Sequence, residues 1–344
     1  MQAQSVEIKG AGATFPAKVY QQWVQAFMTD TGVRLSYDAV GSSTGRKRIA
    51  AGDVDFGASD VPMPEADLER HQLFQFPTLV GGVVPVVNLP GVPPHALRLS
   101  DEVLVDIFAG RLTQWNATAI RALNPGLNLP NLPIQRVVRK DGSGTTEVFV
   151  GYLHTVGGAN ATVIEVKGGL ATWPGATLAV EGSGQQSAAL KATPGAIAYI
   201  SSDYVTRDGL SGVQMRNRHG DWVAPTLSSY RAAIVAGRLF KDSLQPKSLV
   251  NIEGPGVWPI VTATYILVPR QPASLERAGW ALNFFYRSFL LGDKAVAGTG
   301  FAPLPINTQA RIVALLSGFR TVKGERVPIA IALPAAKAGA GTRP

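Results

Sequence analysis

The stretch Ile134-Gln-Arg-Val-Val-Arg-Lys-Asp-Gly-Ser-Gly-Thr-Thr146 sets a Val-rich run against a turn of glycines and hydroxyls. Val148, Phe149, Tyr152 and Leu153 then follow at helical spacing. Strand, tight turn and helix in that order form the repeating unit of an α/β protein. The unit recurs along the chain. Val6–Lys9 reads as a strand leading through Gly10-Ala-Gly-Ala-Thr-Phe-Pro16 into a helix, with Val19, Trp23 and Phe27 on one face and Gly32 as its stop. Arg34–Val40 runs into Gly41-Ser-Ser-Thr-Gly45 and a short helix, and Val54–Ala58 is a strand that ends at Ser59-Asp60. Ser100-Asp-Glu caps a further helix, Ala196–Ile200 reads as a strand, and Gln185–Lys191, Ser274–Leu291 and Thr308–Leu316 read as helices. Two longer apolar runs, Leu79–Leu89 and Pro259–Val268, are long enough to pass from one sheet to another and back.

The composition narrows the function classes. A chain of 344 residues corresponds to roughly two domains. Hydrophobic residues at 46% and charged residues at 16% exclude a disordered chain. Cysteine is absent, which excludes disulfides, thiol nucleophiles, Cys-ligated metals and a lipid-bearing cysteine. No apolar run approaches the ~18 residues of a membrane span, and no His or carboxylate spacing suits a metal ion. Met1-Gln-Ala-Gln-Ser5 carries no leader pattern, so the expectation is a mature chain whose signal peptide has been removed. The net charge of +8 suits anionic ligands, but the basic residues are dispersed and not interleaved with aromatics, so nucleic acid is not an expected partner.

Three junctions share one chemistry: Gly12-Ala-Thr-Phe15, Gly41-Ser-Ser43 and Asp141-Gly-Ser-Gly-Thr145. Each places small residues and hydroxyls where a helix leaves its first N–H groups free, and such N-termini bind anions. Each alone also matches an ordinary Ser/Thr cap. Together, with Arg139 before the third turn and Asp60 at a strand end, they point to a site for an oxyanion: the guanidinium supplies two parallel hydrogen bonds, and open α/β sheets bind ligands beyond their strand ends.

In order and spacing the turns resemble the periplasmic phosphate-binding proteins that serve ABC-type phosphate importers. The matching stretches are Gly10-Ala-Gly-Ala-Thr-Phe-Pro-Ala17, Val54-Asp-Phe-Gly-Ala-Ser-Asp60, Leu73-Phe-Gln-Phe-Pro77, Gly81-Gly-Val-Val84 and Val137–Thr145. The resemblance implies a two-domain periplasmic binding protein fold of the α/β class, each domain a mixed sheet flanked by helices, with two crossover strands as a hinge. It implies residues 1–82 with 262–330 as a discontinuous first domain, 83–261 as the second, and 331–344 as a low-complexity tail. Carried over by residue, it places Thr14, Phe15, Ser42 and Asp60 on the first domain's side of a phosphate, and Arg139, Asp141, Ser143, Gly144 and Thr145 on the second's. It further implies a monomeric, non-enzymatic protein of the periplasm without a cofactor, whose partners are phosphate and the permease subunits of the importer. Thr44 and Lys140 depart from the family pattern; Lys140 is expected to point to solvent.

Two other readings share the residues. Gly41-Ser-Ser-Thr-Gly45 fits the G-x-S-x-G elbow of a serine hydrolase with Ser43 as nucleophile, for which His71, His95, His154 or His219 would have to serve as base. A binding protein for another oxyanion or a phosphate ester would use the same turns. Asp60 separates phosphate from sulfate on chemical grounds. A carboxylate only accepts hydrogen bonds, and at neutral pH phosphate retains a proton to give while sulfate does not.

Overall fold

The computed structural model describes residues 6–240, 244, 246–291, 294 and 296–329; the tail expected at 331–344 lies outside them. Among the described residues the main sheet has ten strands. One path through it runs Arg34–Ala39, Glu7–Gly12, Phe56–Ser59, Ile260–Pro269, Leu73–Asn88, Ala196–Ser201, Gln135–Arg139 and Leu178–Val180. The first three strands are mutually parallel, as are the last three, and the middle pairings are antiparallel. Each half is therefore a mixed sheet, and helices cover both.

The two halves are joined by Leu73–Asn88. Its first ten residues pair with Ile260–Pro269, from Leu73↔Pro269 to Gly82↔Val261, and Val83–Asn88 pair with Ala196–Ser201. This crossover strand begins six residues before the apolar run that marks it in the sequence. Pro77 sits at a register shift opposite Tyr265, a position where a missing N–H is tolerated. The second apolar run behaves differently. Ile260–Pro269 pairs with Phe56–Ser59, Leu73–Asn88 and the short strand Leu249–Val250, so it returns the chain to the first half beside the shared strand.

Rings fill both halves. Helix Ala17–Thr31 meets helix Leu275–Leu291 through Trp23, Phe27 and Phe284, with Phe56 edge-on to Phe285 at 5.0 Å. In the other half Phe149 lies 4.7 Å from Phe108 and stacks on Tyr199 at 4.4 Å. Such pairs add about 0.5–1.5 kcal/mol each beyond area burial and fix the orientation of the elements that carry them. Ser100 caps helix Asp101–Phe108 by accepting from the Val103 N–H at 3.3 Å.

Candidate functional site

Three helices begin immediately after strand ends and point their N-termini into the junction between the halves. Ser42 opens helix Ser42–Ala51, Gly144 and Thr145 open helix Gly144–Gly157, and Ser183 is the second residue of helix Gly182–Ala192. Thr14 and Phe15 precede a fourth helix, Ala17–Thr31. The halves touch at this point. The Ser43 N–H donates to the Gly142 carbonyl at 3.0 Å, and the Ser201 hydroxyl donates to the Phe15 carbonyl at 3.4 Å. A Cβ on Gly144 would lie 2.4 Å from Ser42 Oγ and 3.0 Å from the Asp60 Cβ, so only glycine permits this approach. Gly41, at φ 89°, faces the Asp141 carboxylate and the Gly142 carbonyl in the same way.

Arg139 closes its strand and is 2% exposed. Its guanidinium forks onto Asp141, with Nε donating to Oδ1 at 2.6 Å and Nη2 to Oδ2. The remaining nitrogen, Nη1, donates to Thr14 Oγ1 at 3.1 Å and Ser183 Oγ at 3.2 Å. Asp141 thus aims the cation and also accepts from the Gly182 N–H at 3.0 Å. Burial pushes the Asp141 carboxyl up, but the Arg139 hydrogen bonds and charge, together with the Gly182 and Asp141 backbone N–H groups, hold it below its usual range.

Asp60 is 1% exposed on the opposite side. Its carboxylate accepts from Thr264 Oγ1 at 2.8 Å and, more loosely, from Ser42 Oγ at 3.5 Å, while its own N–H donates to Ser42 Oγ at 3.2 Å. Burial drives its pKa from 3.8 up to about 7, against the opposing pull of Thr264, Arg139, Ser42 and Arg46. The Ser143 hydroxyl oxygen caps its helix by accepting from the Thr146 N–H at 3.2 Å, which leaves its O–H free to donate. Thr145 Oγ1 is buried and makes no hydrogen bond. A buried hydroxyl without a partner costs about 1–3 kcal/mol.

All nine residues singled out in the sequence are thus brought to one junction: Thr14, Phe15, Ser42, Asp60, Arg139, Asp141, Ser143, Gly144 and Thr145. Ser183 meets Arg139 and Thr264 meets Asp60 at the same place, and neither was read from the sequence. Glu181-Gly-Ser-Gly184 repeats the glycine–serine pattern of the third turn, which was the available signal for Ser183. Thr264 stands inside an apolar strand with no local signal. Lys140 is more than half exposed and reaches Glu181 at 3.4 Å, as expected of a solvent-facing lysine.

The hydrolase reading finds no geometry. Ser43 is the second residue of a regular helix, and the positive φ of the turn falls on Gly41, whereas an elbow strains the nucleophile itself. Among the described residues no histidine hydrogen-bonds to Ser43; His71 meets Arg70, His95 meets Gly212, and His154 meets the Ile164 carbonyl. What the arrangement offers is one aimed cation, several hydroxyls and helix N-termini around one buried acceptor. That is equipment for holding a small oxyanion.

The pattern of the PBP superfamily domain matches residues 2–290, and the chain belongs to that superfamily. Within it the chain belongs to the family of the phosphate-binding proteins PstS. It is 37% identical over 317 residues to the phosphate-binding protein PstS of Xylella fastidiosa (strain Temecula1), covering 91% of this chain and 85% of that one. It is 35% identical to the PstS of Haemophilus influenzae, covering 90% and 92%. In fold it is similar to a high affinity periplasmic phosphate-binding protein solved with phosphate bound, at a TM-score of 0.73 and 21% identity, over 94% of this chain and 96% of that one.

Proposed function

We propose that the protein captures inorganic phosphate between its two halves in the periplasm and delivers it to the permease of an ABC importer. The observation that carries the reading is Asp60, a buried carboxylate set opposite Arg139 and among hydroxyl donors. A site for an anion has a use for an acceptor only when the anion brings a proton. Phosphate does; sulfate would oppose lone pairs to lone pairs. An unpaired buried acceptor costs about 1–3 kcal/mol, more when charged, and a site built to accept a ligand O–H rejects the analogue lacking it by about 10⁴-fold.

The other roles follow from donor chemistry. Arg139 supplies the full positive charge, aimed by Asp141. The hydroxyls of Thr14, Ser42, Ser143, Thr145 and Ser183 donate from both sides, with Thr14 and Ser183, which bond each other at 2.8 Å and accept from Arg139, turning their O–H groups to the anion. Phe15 and Gly144 contribute backbone N–H groups; the Phe15 ring itself is buried against Phe301 at 5.2 Å. Thr264 orients Asp60. Because donors from both halves meet the anion only when the halves are together, phosphate favours the closed form by its differential contacts. The permease then meets a protein whose shape reports its load.

Equilibrium binding of radiolabelled phosphate to Arg139→Ala and Ser143→Ala tests the assignment. Removing the full charge is expected to weaken binding by at least 10²-fold, and removing one hydroxyl by about tenfold. Equal losses would contradict the role given to Arg139.

A further inference from the structure

Helices Ser42–Ala51 and Gly144–Gly157 belong to opposite halves, and their N-termini abut at Ser42, Ser43, Gly142 and Gly144. One turn further out, Arg46 Nη2 lies 3.2 Å from Glu147 Oε2 across the same junction. The two side chains are 17% and 29% exposed, so the pair is partly withdrawn from solvent. Neither residue belongs to the anion site. We infer that Arg46 and Glu147 form an interlobe latch, made only in the closed form, that slows release of the bound anion; the inference rests on the phosphate reading above.

The geometry supports this in three ways. Arg46 follows Ser42 by four residues and Glu147 follows Ser143 by four, so each rides one helical turn above a residue of the anion site and meets its partner only when those two N-termini do. Glu147 stands in the first turn of its helix, where the helix dipole favours a negative charge. Arg46 also lowers the proton affinity of Asp60 through space, which places its charge near the cleft. Separation of the halves by a few ångströms would release the pair to water. Its contribution therefore falls on the dissociation rate. A partly exposed ion pair of this kind corresponds to about a two- to fivefold effect.

A rival account, in which these charges act only as a field on the anion, makes the opposite prediction for one variant. Glu147→Gln removes a negative charge beside an anion site. As a field effect it would tighten phosphate binding; as loss of a latch it speeds release. The test follows dissociation of radiolabelled phosphate, chased with unlabelled phosphate, from the full chain and from Arg46→Gln, Glu147→Gln and the double variant. The expected result is about two- to fivefold faster release from Glu147→Gln, and a double variant no faster than Arg46→Gln alone. A Glu147→Gln protein that releases phosphate at the parental rate or more slowly overturns the latch while leaving the phosphate reading standing. A parent protein that binds no phosphate overturns both. Strictly multiplicative effects in the double variant would also overturn it, because the two residues would then act independently.

Discussion

The charge of Asp60 opposes closure of the ligand-free protein, and Asp60→Asn measures by how much. In the closed arrangement burial lifts this carboxyl from 3.8 to about 7. Wetting of the side chain once the halves part would return its pKa toward the ordinary value. A difference of about 3 pH units, at about 1.4 kcal/mol each, sets a ceiling of about 4 kcal/mol on the cost of closing with Asp60 ionised. The sign follows from linkage. The closed-state value is raised, so protonation favours closure; the cost is absent below about pH 4, grows through the interval, and is complete above about pH 7. Asparagine keeps an acceptor for Thr264 and carries no charge, so this contribution to the pH dependence of closure is absent. Small-angle scattering of phosphate-free protein reads the outcome as a radius of gyration. At pH 8 Asp60→Asn is expected to be more compact than the parent, and at pH 5 the difference should shrink by more than half. An equal difference at both pH values, or none at either, would refute the argument that the buried charge holds the empty cleft open.

Two further substitutions address the site itself. Asp60→Asn is expected to bring sulfate within about 10²-fold of phosphate in a competition titration, because the amide can donate to an oxyanion that has no proton; undiminished rejection of sulfate would remove Asp60 from the selectivity argument. Gly144→Ala places a methyl about 2.4 Å from Ser42 Oγ, which the halves can avoid only by standing apart. Phosphate affinity should fall at least tenfold while the thermal midpoint of the phosphate-free protein moves by only a degree or two. A matching collapse of the midpoint would make the effect one of folding.

Much of this architecture is legible in the sequence because the site is built from strand–turn–helix junctions, where glycine, hydroxyl and cap requirements are local. Asp141-Gly-Ser-Gly-Thr145 announces a turn and an N-cap within five residues, and the structure shows both, with Ser143 capping helix Gly144–Gly157. Ser183 escapes because its helix begins at Gly182, three residues before the helical period becomes visible at Gln185, and the strand before it is only Leu178–Val180. Thr264 escapes for a different reason. It meets Asp60 from 204 residues away, and an apolar strand carrying a threonine reads as an apolar strand. The crossover strand's early start at Leu73 is hidden by Pro77, whose tolerance depends on a register shift opposite Tyr265. The Arg46–Glu147 pair is likewise a product of the closed arrangement, since two charges 101 residues apart carry no local mark.

The central claim is that this cleft accepts a protonated oxyanion and rejects an unprotonated one. Calorimetric titration of protein stripped of copurifying phosphate, first with phosphate and then with sulfate, tests it most directly. The account predicts tight binding of one phosphate per chain and no heat from sulfate beyond dilution. Comparable binding of both anions would contradict it, and binding of neither would remove phosphate from the cleft altogether.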